Sequence, residues 1–364
     1  MVTDFGATAD GTTDSKQGFA NAWKKACQTP GGGVLVPAGK AFVLSGGEFV
    51  GPCKGKTKFQ IDGTLIASND PKLDRLDYWI TFASVTRLTI FGKGVLNGNG
   101  ASAWSRCGTS TSCAPRPTSL KIQGVRHATI QGITSVNSKM FHIVIYKSQH
   151  VRVRNVQIRA PQDSPNTDGI HVGSSSNVEI LQSSIATGDD CVSLGDGSTN
   201  VDISGVACGP GHGISIGSLG KYEDEEDVRG ITVKNCNLTN TQNGLRIKTW
   251  APSLSSNVVS DITYDDITLN KVNNPIIIDQ HYCPHGDCEK GGDSGVQIKG
   301  VRFINVRGSS ATEVGVNVQC SKTKPCRDVE FSRLDLTLDG RRPAVARCSN
   351  VNYRFQGSTP SRCT

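Results

Sequence analysis

The sequence predicts an all-β fold, a parallel β-helix whose short strands stack coil upon coil, and three observations lead there. From about residue 85 onward one unit recurs: a polar or small residue, then apolar, polar, apolar. It reads His127-Ala-Thr-Ile, His150-Val-Arg-Val, Asn177-Val-Glu-Ile, Asn200-Val-Asp-Ile, Gly230-Ile-Thr-Val, Asp261-Ile-Thr-Tyr, Gly300-Val-Arg-Phe and Asp328-Val-Glu-Phe. Successive units are 23, 27, 23, 30, 31, 39 and 28 residues apart. That is a period near 23 with insertions, enough for about three short strands per coil. Lastly, the 364 residues include 41 Gly and only 2 Met, and no long stretch has the 3.6-residue apolar period of a helical solenoid. A propeller blade of about 40 residues is too long for the two shortest intervals.

Residues 1 to 60 are expected to form a cap. Thr13-Asp14 suits a helix start. Phe19, Ala22, Trp23 and Ala26 give Ser15 to Cys27 a helical apolar spacing. A strand over Val34 to Val36 follows and ends at Pro37. An uncovered end of a strand stack would template aggregation, so the short helix is placed over it. Past about Gly340 the repeat fades into a tail holding Cys348 and Cys363. The whole chain, 1–364, is read as a single domain.

The centre of the chain carries the chemistry. Four pieces align by apolar residues two apart, the period of a strand with one buried face: Ile170-His171-Val172, Val192-Ser193-Leu194, Ile214-Ser215-Ile216 and Leu245-Arg246-Ile247. Two places before the first apolar residue stand Asp168, Asp190, His212 and Gly244, and Asp189 precedes Asp190. In parallel register the apolar residues line the core, and His171, Ser193, Ser215 and Arg246 form an outer column. Asp168 and Asp190 then sit about 5 Å apart on neighbouring coils. Carboxylates at that range cannot all ionise cheaply, so one retains its proton. Glycoside hydrolysis needs such a split: one carboxyl to protonate the leaving oxygen, another to activate water. His212 can hydrogen-bond an Asp. Arg246 can hold a carboxylate bidentately, and Lys248 as a point charge. His142 and His171 are read as outward on the same sheet. An Asp/Asp/His cluster could also ligate a metal; the reading adopted here has none.

Thirteen cysteines without C-x-x-C spacing favour disulfides and an oxidising compartment over zinc. Near pairs are Cys107 with Cys113, Cys283 with Cys288, Cys320 with Cys326, and Cys348 with Cys363; Cys27 and Cys53 are further candidates. The odd thiol is assigned to Cys236. Asn237-Leu238-Thr239 is an N-glycosylation sequon. The formal charge of +7 suits an anionic partner. No apolar run approaches the roughly 20 residues of a membrane span. No signal peptide is visible, because Val2-Thr3-Asp4-Phe5 already reads as folded sequence; a removed signal ahead of Met1 is compatible with this.

As a set, NTDG (166–169), GDD (188–190), GHG (211–213) and RIK (246–248) resemble, in order, the four motifs of the polygalacturonase family of glycoside hydrolases. The FGATADG start at Phe5 and IDQHYC at 278–283 resemble its plant members. The resemblance covers nearly the whole chain. It implies a secreted, right-handed parallel β-helix that hydrolyses α-1,4 bonds between galacturonic acid units of pectin, with inversion and no cofactor. It implies Asp189 as general acid, Asp168 and Asp190 as the pair that positions and deprotonates water, and His212 as support for the acid. Arg246 and Lys248 would clamp a substrate carboxylate, with Asn166 and Tyr282 as further contacts. Cys191 and Cys208 would form the disulfide flanking the site. SLGDGSTNV after GDDC and GSLGKYEDEE after GHGISI resemble the pollen-type exo-acting branch, with endo action as the alternative. The partner expected is an acidic polysaccharide bound by a monomer, with neither nucleic acid nor membrane. A lyase on the same scaffold and a non-catalytic pectin-binding protein are the readings from other classes.

Overall fold

The computed structural model describes residues 1–70, 72–105, 116–284, 286, 288, 292–360 and 362–363. The chain is a parallel β-helix in which strands far outnumber helices. Two compact units are distinguished, Met1–His171 with Asn177–Asp189, and Val172–Ser176 with Asp190–Thr364.

The first unit begins with the expected helix, Lys16–Cys27, whose buried face is Phe19, Ala22, Trp23 and Ala26. Trp23 lies 5.4 Å from Phe49 and 5.5 Å from Phe82 between ring centroids, and its indole N–H donates to the Val50 carbonyl at 3.1 Å. This aromatic cluster fastens the cap. A Cys27–Cys53 disulfide holds the end of the helix. Coiling starts inside the stretch read as the cap. Gly33–Val36 pairs in parallel with Thr57–Ile61, and that with Thr86–Phe91. Ala41–Leu44, Thr64–Ala67 and Val95–Asn97 form a second stack, and Gly47–Val50, Tyr78–Ala83 and Thr118–Gln123 a third. Each coil thus carries three strands, as the 23-residue period requires.

The second unit repeats the plan with longer strands. Val228–Thr239, Val258–Val272 and Gln297–Ser310 pair in parallel. Tyr264, Phe303, Phe331 and Phe355, in register with one another, form an inner ring stack with centroid separations of 4.9, 5.3 and 4.5 Å. The coil continues through the tail: Val345–Ser349 pairs with Val314–Gln319, and Val351–Gln356 with Cys326–Ser332.

The residue that opens each repeat is a corner. His127, His150, Asn177, Asn200, Gly230, Asp261, Gly300 and Asp328 all have positive φ, from 52° to 68°. Left-handed backbone is costly for most L-residues and least so for Gly, Asn and Asp, which explains the polar or small residue at that position. A second corner lies five residues on in every case, at Gly132, Asn155, Gln182, Gly205, Asn235, Asp266, Asn305 and Arg333, again with positive φ. The strand between two corners has room for only two inward side chains.

Among the described residues five disulfides form: Cys27–Cys53, Cys191–Cys208, Cys283–Cys288, Cys320–Cys326 and Cys348–Cys363. The expected Cys107–Cys113 pair lies outside them. Cys236 is the free thiol, buried, with burial pushing its pKa up to about 11.

Candidate active site

In the second unit the register inferred from sequence is the one observed. Val192, Ile214, Leu245 and Ile276 are successive partners, as are Leu194, Ile216, Ile247 and Ile278. All eight are buried. They fix the opposite face, where Ser193, Ser215 and Arg246 align. Here the structure departs from expectation. Ser193 and Ser215 are 3% and 0% exposed, because charged side chains lie over this face instead of solvent.

Asp190 is the first of them, 1% exposed. Its Oδ1 accepts from Ser215 Oγ at 2.7 Å and its Oδ2 from Lys248 Nζ at 2.9 Å. The pKa of Lys248 is raised: burial is the largest single influence and works against the ammonium, but the Asp190 charge, the Tyr282 hydroxyl and the hydrogen bond to Asp190 together outweigh it. Cys191 N–H donates to the Gly213 carbonyl at 2.8 Å, and this places His212 beside Asp190, with ligand atoms of the two within 4.8 Å. A carboxylate and an imidazole at this range are also two of the ligands a cation would take. The Cys191–Cys208 disulfide holds the segment between these two turns. Gly213, at φ 88°, cannot be replaced, since a Cβ there would collide with the Asn243 carbonyl.

Arg246 and Lys248 project from the same strand, Asn243–Trp250, but have different surroundings. Lys248 is spent on Asp190. Among the described residues Arg246 has no carboxylate partner, and its buried Nε has no hydrogen bond. Its guanidinium lies 5.1 Å from the Tyr282 ring centroid, a cation–π distance. Tyr282 in turn meets Trp250 edge-on at 5.5 Å. The expected Arg–Lys clamp therefore has one member open to an incoming anion and one already paired.

The first unit holds the remaining candidates. Asp168 is 5% exposed, and its carbonyl accepts from His142 N–H at 2.8 Å. Thr167 Oγ1 accepts the Gly188 N–H at 3.0 Å, which links the NTDG loop to the GDD loop that presents Asp189. Asp189 is half-buried and Asn166 exposed. His142 is a correction: it points inward, fully buried, with Nδ1 2.8 Å from Ser135 Oγ. Burial lowers its pKa to about 3, so it is a neutral core histidine. It lies just before the strand Ile143–Tyr146, outside the alternation of that strand. Asn237 is exposed on its strand.

A parallel β-helix with a buried, lysine-paired acid beside a histidine has the elements of a carbohydrate-cleaving hydrolase. The chain belongs to glycosyl hydrolases family 28, whose model matches residues 27–362. It is 43% identical over 355 residues to a polygalacturonase of Gossypium barbadense, covering 96% of this chain and 86% of that one. It is 44% identical over 361 residues to an exopolygalacturonase of Platanus acerifolia, covering 98% and 95%. Among solved structures, the endo-xylogalacturonan hydrolase of Aspergillus tubingensis superposes with a TM-score of 0.85 at 24% identity over 95% of each chain, a likeness of fold.

Proposed function

We propose that the chain is a polygalacturonase that hydrolyses α-1,4 bonds between galacturonate units of de-esterified pectin, with inversion, in the extracellular space. One observation carries this reading: within one unit, an acid held by a lysine and a serine lies beside a histidine and an arginine that has no carboxylate partner among the described residues. Such a set suits a substrate that is both a sugar and an anion.

In this mechanism the Asp189 carboxyl donates a proton to the glycosidic oxygen, and its half-buried place lets it reach the leaving group. Asp190 and Asp168 orient a water and take its proton as it attacks the anomeric carbon. Lys248 and the Ser215 hydroxyl fix the Asp190 carboxylate through hydrogen bonds to both oxygens. His212 hydrogen-bonds within this acid group and holds its proton in place. Arg246 takes the carboxylate of a neighbouring galacturonate, and Tyr282 lies along that sugar. Asn166 contributes a further polar contact. No cofactor takes part. Action from the chain end is favoured by the exopolygalacturonase relative and by the two loop sequences after GDDC and GHGISI.

The test is release of reducing ends from de-esterified polygalacturonate at mildly acid pH. The wild-type chain should release them and Asp189→Asn should not. Viscosity followed in parallel should fall slowly relative to bond cleavage if action is from the end, and quickly if it is internal. An unsaturated product would indicate elimination, and binding without product would indicate a lectin-like role.

A further inference from the structure

In the first unit, the turns that lead into Asp168 and Asp189 are tied together by a chain of buried hydroxyls. The strands Gln157–Arg159 and Ser184–Ala186 pair in parallel, and just past them Ala160 N–H donates to the Ala186 carbonyl at 2.9 Å. Two turns follow, one holding Ser164 and Thr167, the other Thr187, Gly188 and Asp189. They meet at Gly188, where a Cβ would collide with the Ser164 carbonyl. Ser164, Thr167 and Thr187 are 2%, 0% and 0% exposed. Each hydroxyl has a single hydrogen to give. Ser164 Oγ donates its own to the Pro161 carbonyl at 2.6 Å. At its contact with Thr167 Oγ1, also 2.6 Å, the donor is therefore Thr167; the other acceptor within its reach, the Ser164 carbonyl, is farther off at 3.2 Å. A lone pair of Thr167 Oγ1 then takes the Gly188 N–H at 3.0 Å. The chain runs from Gly188 N–H through Thr167 and Ser164 to the Pro161 carbonyl, each link polarising the next. From the other side, Thr187 Oγ1 donates to the Asp189 carbonyl at 3.3 Å. The backbone that carries the Asp189 side chain is thus held at the residue before it and at its own carbonyl.

We propose that Thr167 is a positioning residue for the general acid: its hydroxyl, backed by Ser164, sets the backbone from which the Asp189 carboxyl reaches the glycosidic oxygen. The proposal rests on the polygalacturonase reading for the role of Asp189. In the step concerned, the Asp189 proton passes to the glycosidic oxygen as the bond from that oxygen to the anomeric carbon breaks. The water oxygen bonds to the same carbon and gives its proton to the base. A misaimed acid slows the departure of a group that needs the proton, and leaves untouched a group that departs without one. Thr167 is fully buried and cannot touch the sugar, so its loss leaves substrate binding in place.

The test compares two substrates: galacturonate oligomers, and the same oligomers carrying fluoride on the anomeric carbon in the α configuration. Fluoride leaves with its electron pair and takes no proton from an acid. Thr167→Val should lower kcat on the plain oligomers about ten- to hundredfold, with KM within about twofold of wild type. The same variant should hydrolyse the fluoride within about threefold of the wild-type rate. Thr167→Ser, which keeps the hydroxyl, should restore most of the oligomer rate. Ser164→Ala removes the second link and should show the same split to a smaller degree; it decides the matter if Thr167→Val does not fold. Equal losses on both substrates, or an unchanged oligomer rate in both Thr167→Val and Ser164→Ala, overturn the proposal. Asp189→Asn, measured alongside, tests the reading beneath it and should lose the oligomers while keeping the fluoride. Loss of both substrates in Asp189→Asn removes Asp189 as the acid. The expected split in Asp189→Asn, with oligomer rates unaltered in the Thr167 and Ser164 variants, removes the positioning role alone.

Discussion

Replacing Lys248 with methionine probes the ion pair on which the proposed site is built. The ammonium lies 2.9 Å from Asp190 Oδ2, and the two side chains are 10% and 2% exposed. Removing one partner of a buried pair leaves the other charge desolvated, at a cost of about 3–5 kcal/mol. Methionine keeps most of the lysine stem's volume, so the cavity contribution is small. At about 2 °C per kcal/mol for a long chain, the thermal midpoint should fall by roughly 6–10 °C. Asp190→Asn breaks the same pair from the other side. The double variant should therefore lose less than the sum of the two, with a coupling of about 2 kcal/mol or more. The pH dependence has a definite sign. Lys248 holds its proton more tightly folded than unfolded, so the pair's contribution is complete below the ordinary lysine value of 10.5 and shrinks as pH rises past it. Thermal denaturation followed by circular dichroism at pH 6 and at pH 11 reads both effects. A Lys248→Met midpoint within 1 °C of wild type at pH 6, or strictly additive single losses, would refute the argument.

Further predictions concern the rest of the molecule. Arg246→Ala should raise KM at least tenfold with a smaller change in kcat, while Asp190→Asn should lower kcat by about 10²–10⁴; an unchanged KM in the arginine variant counts against its role as clamp. His142 is depressed to about 3 from an ordinary 6.5, so the unfolded chain binds its proton first. Stability should then decline by about 1.4 kcal/mol per pH unit as pH falls below 6.5. His142→Asn should flatten that slope between pH 6 and pH 4.5, and denaturant titrations at the two pH values with equal slopes for both proteins would contradict it. Trp23→Ala removes the centre of the cap's aromatic cluster and should cost about 3–5 kcal/mol, read as a lower denaturation midpoint; a loss under 1 kcal/mol would show that the helix does not hold the cap.

The repeat was legible because the coil's geometry writes itself into composition. A left-handed corner before each strand selects Asn, Asp, Gly or His, and the two inward positions after it select apolar residues. Where the corner is filled otherwise, the signal vanishes. Arg87, at φ 61°, opens Thr86–Phe91, and Arg333 and Gln182 occupy second corners. Nothing in those residue types marks a turn. Asn350, at φ 53°, is a corner of the expected type, but Asn352, Tyr353 and Arg354 after it are exposed, so the apolar pattern of the last coil is diluted. In the catalytic stretch, alignment by apolar pairs gave the register of three successive strands, and with it the company of Asp190, His212 and Arg246. The Lys248–Asp190 pair was not read, since a charge two residues past Arg246 looks the same whether it faces substrate or an acid 58 residues earlier. Burial of Ser193 and Ser215 was missed for the same reason: alternation separates core from outer face, and cannot show what covers the outer face.

The most direct test of the central claim is proton NMR of de-esterified polygalacturonate during its first minutes with the wild-type chain. Single displacement by a water held on Asp190 and Asp168 predicts that the new reducing ends appear first as the β-anomer and convert to α only by mutarotation. Reducing ends that appear first as α, or a 4,5-unsaturated uronate in their place, would contradict it.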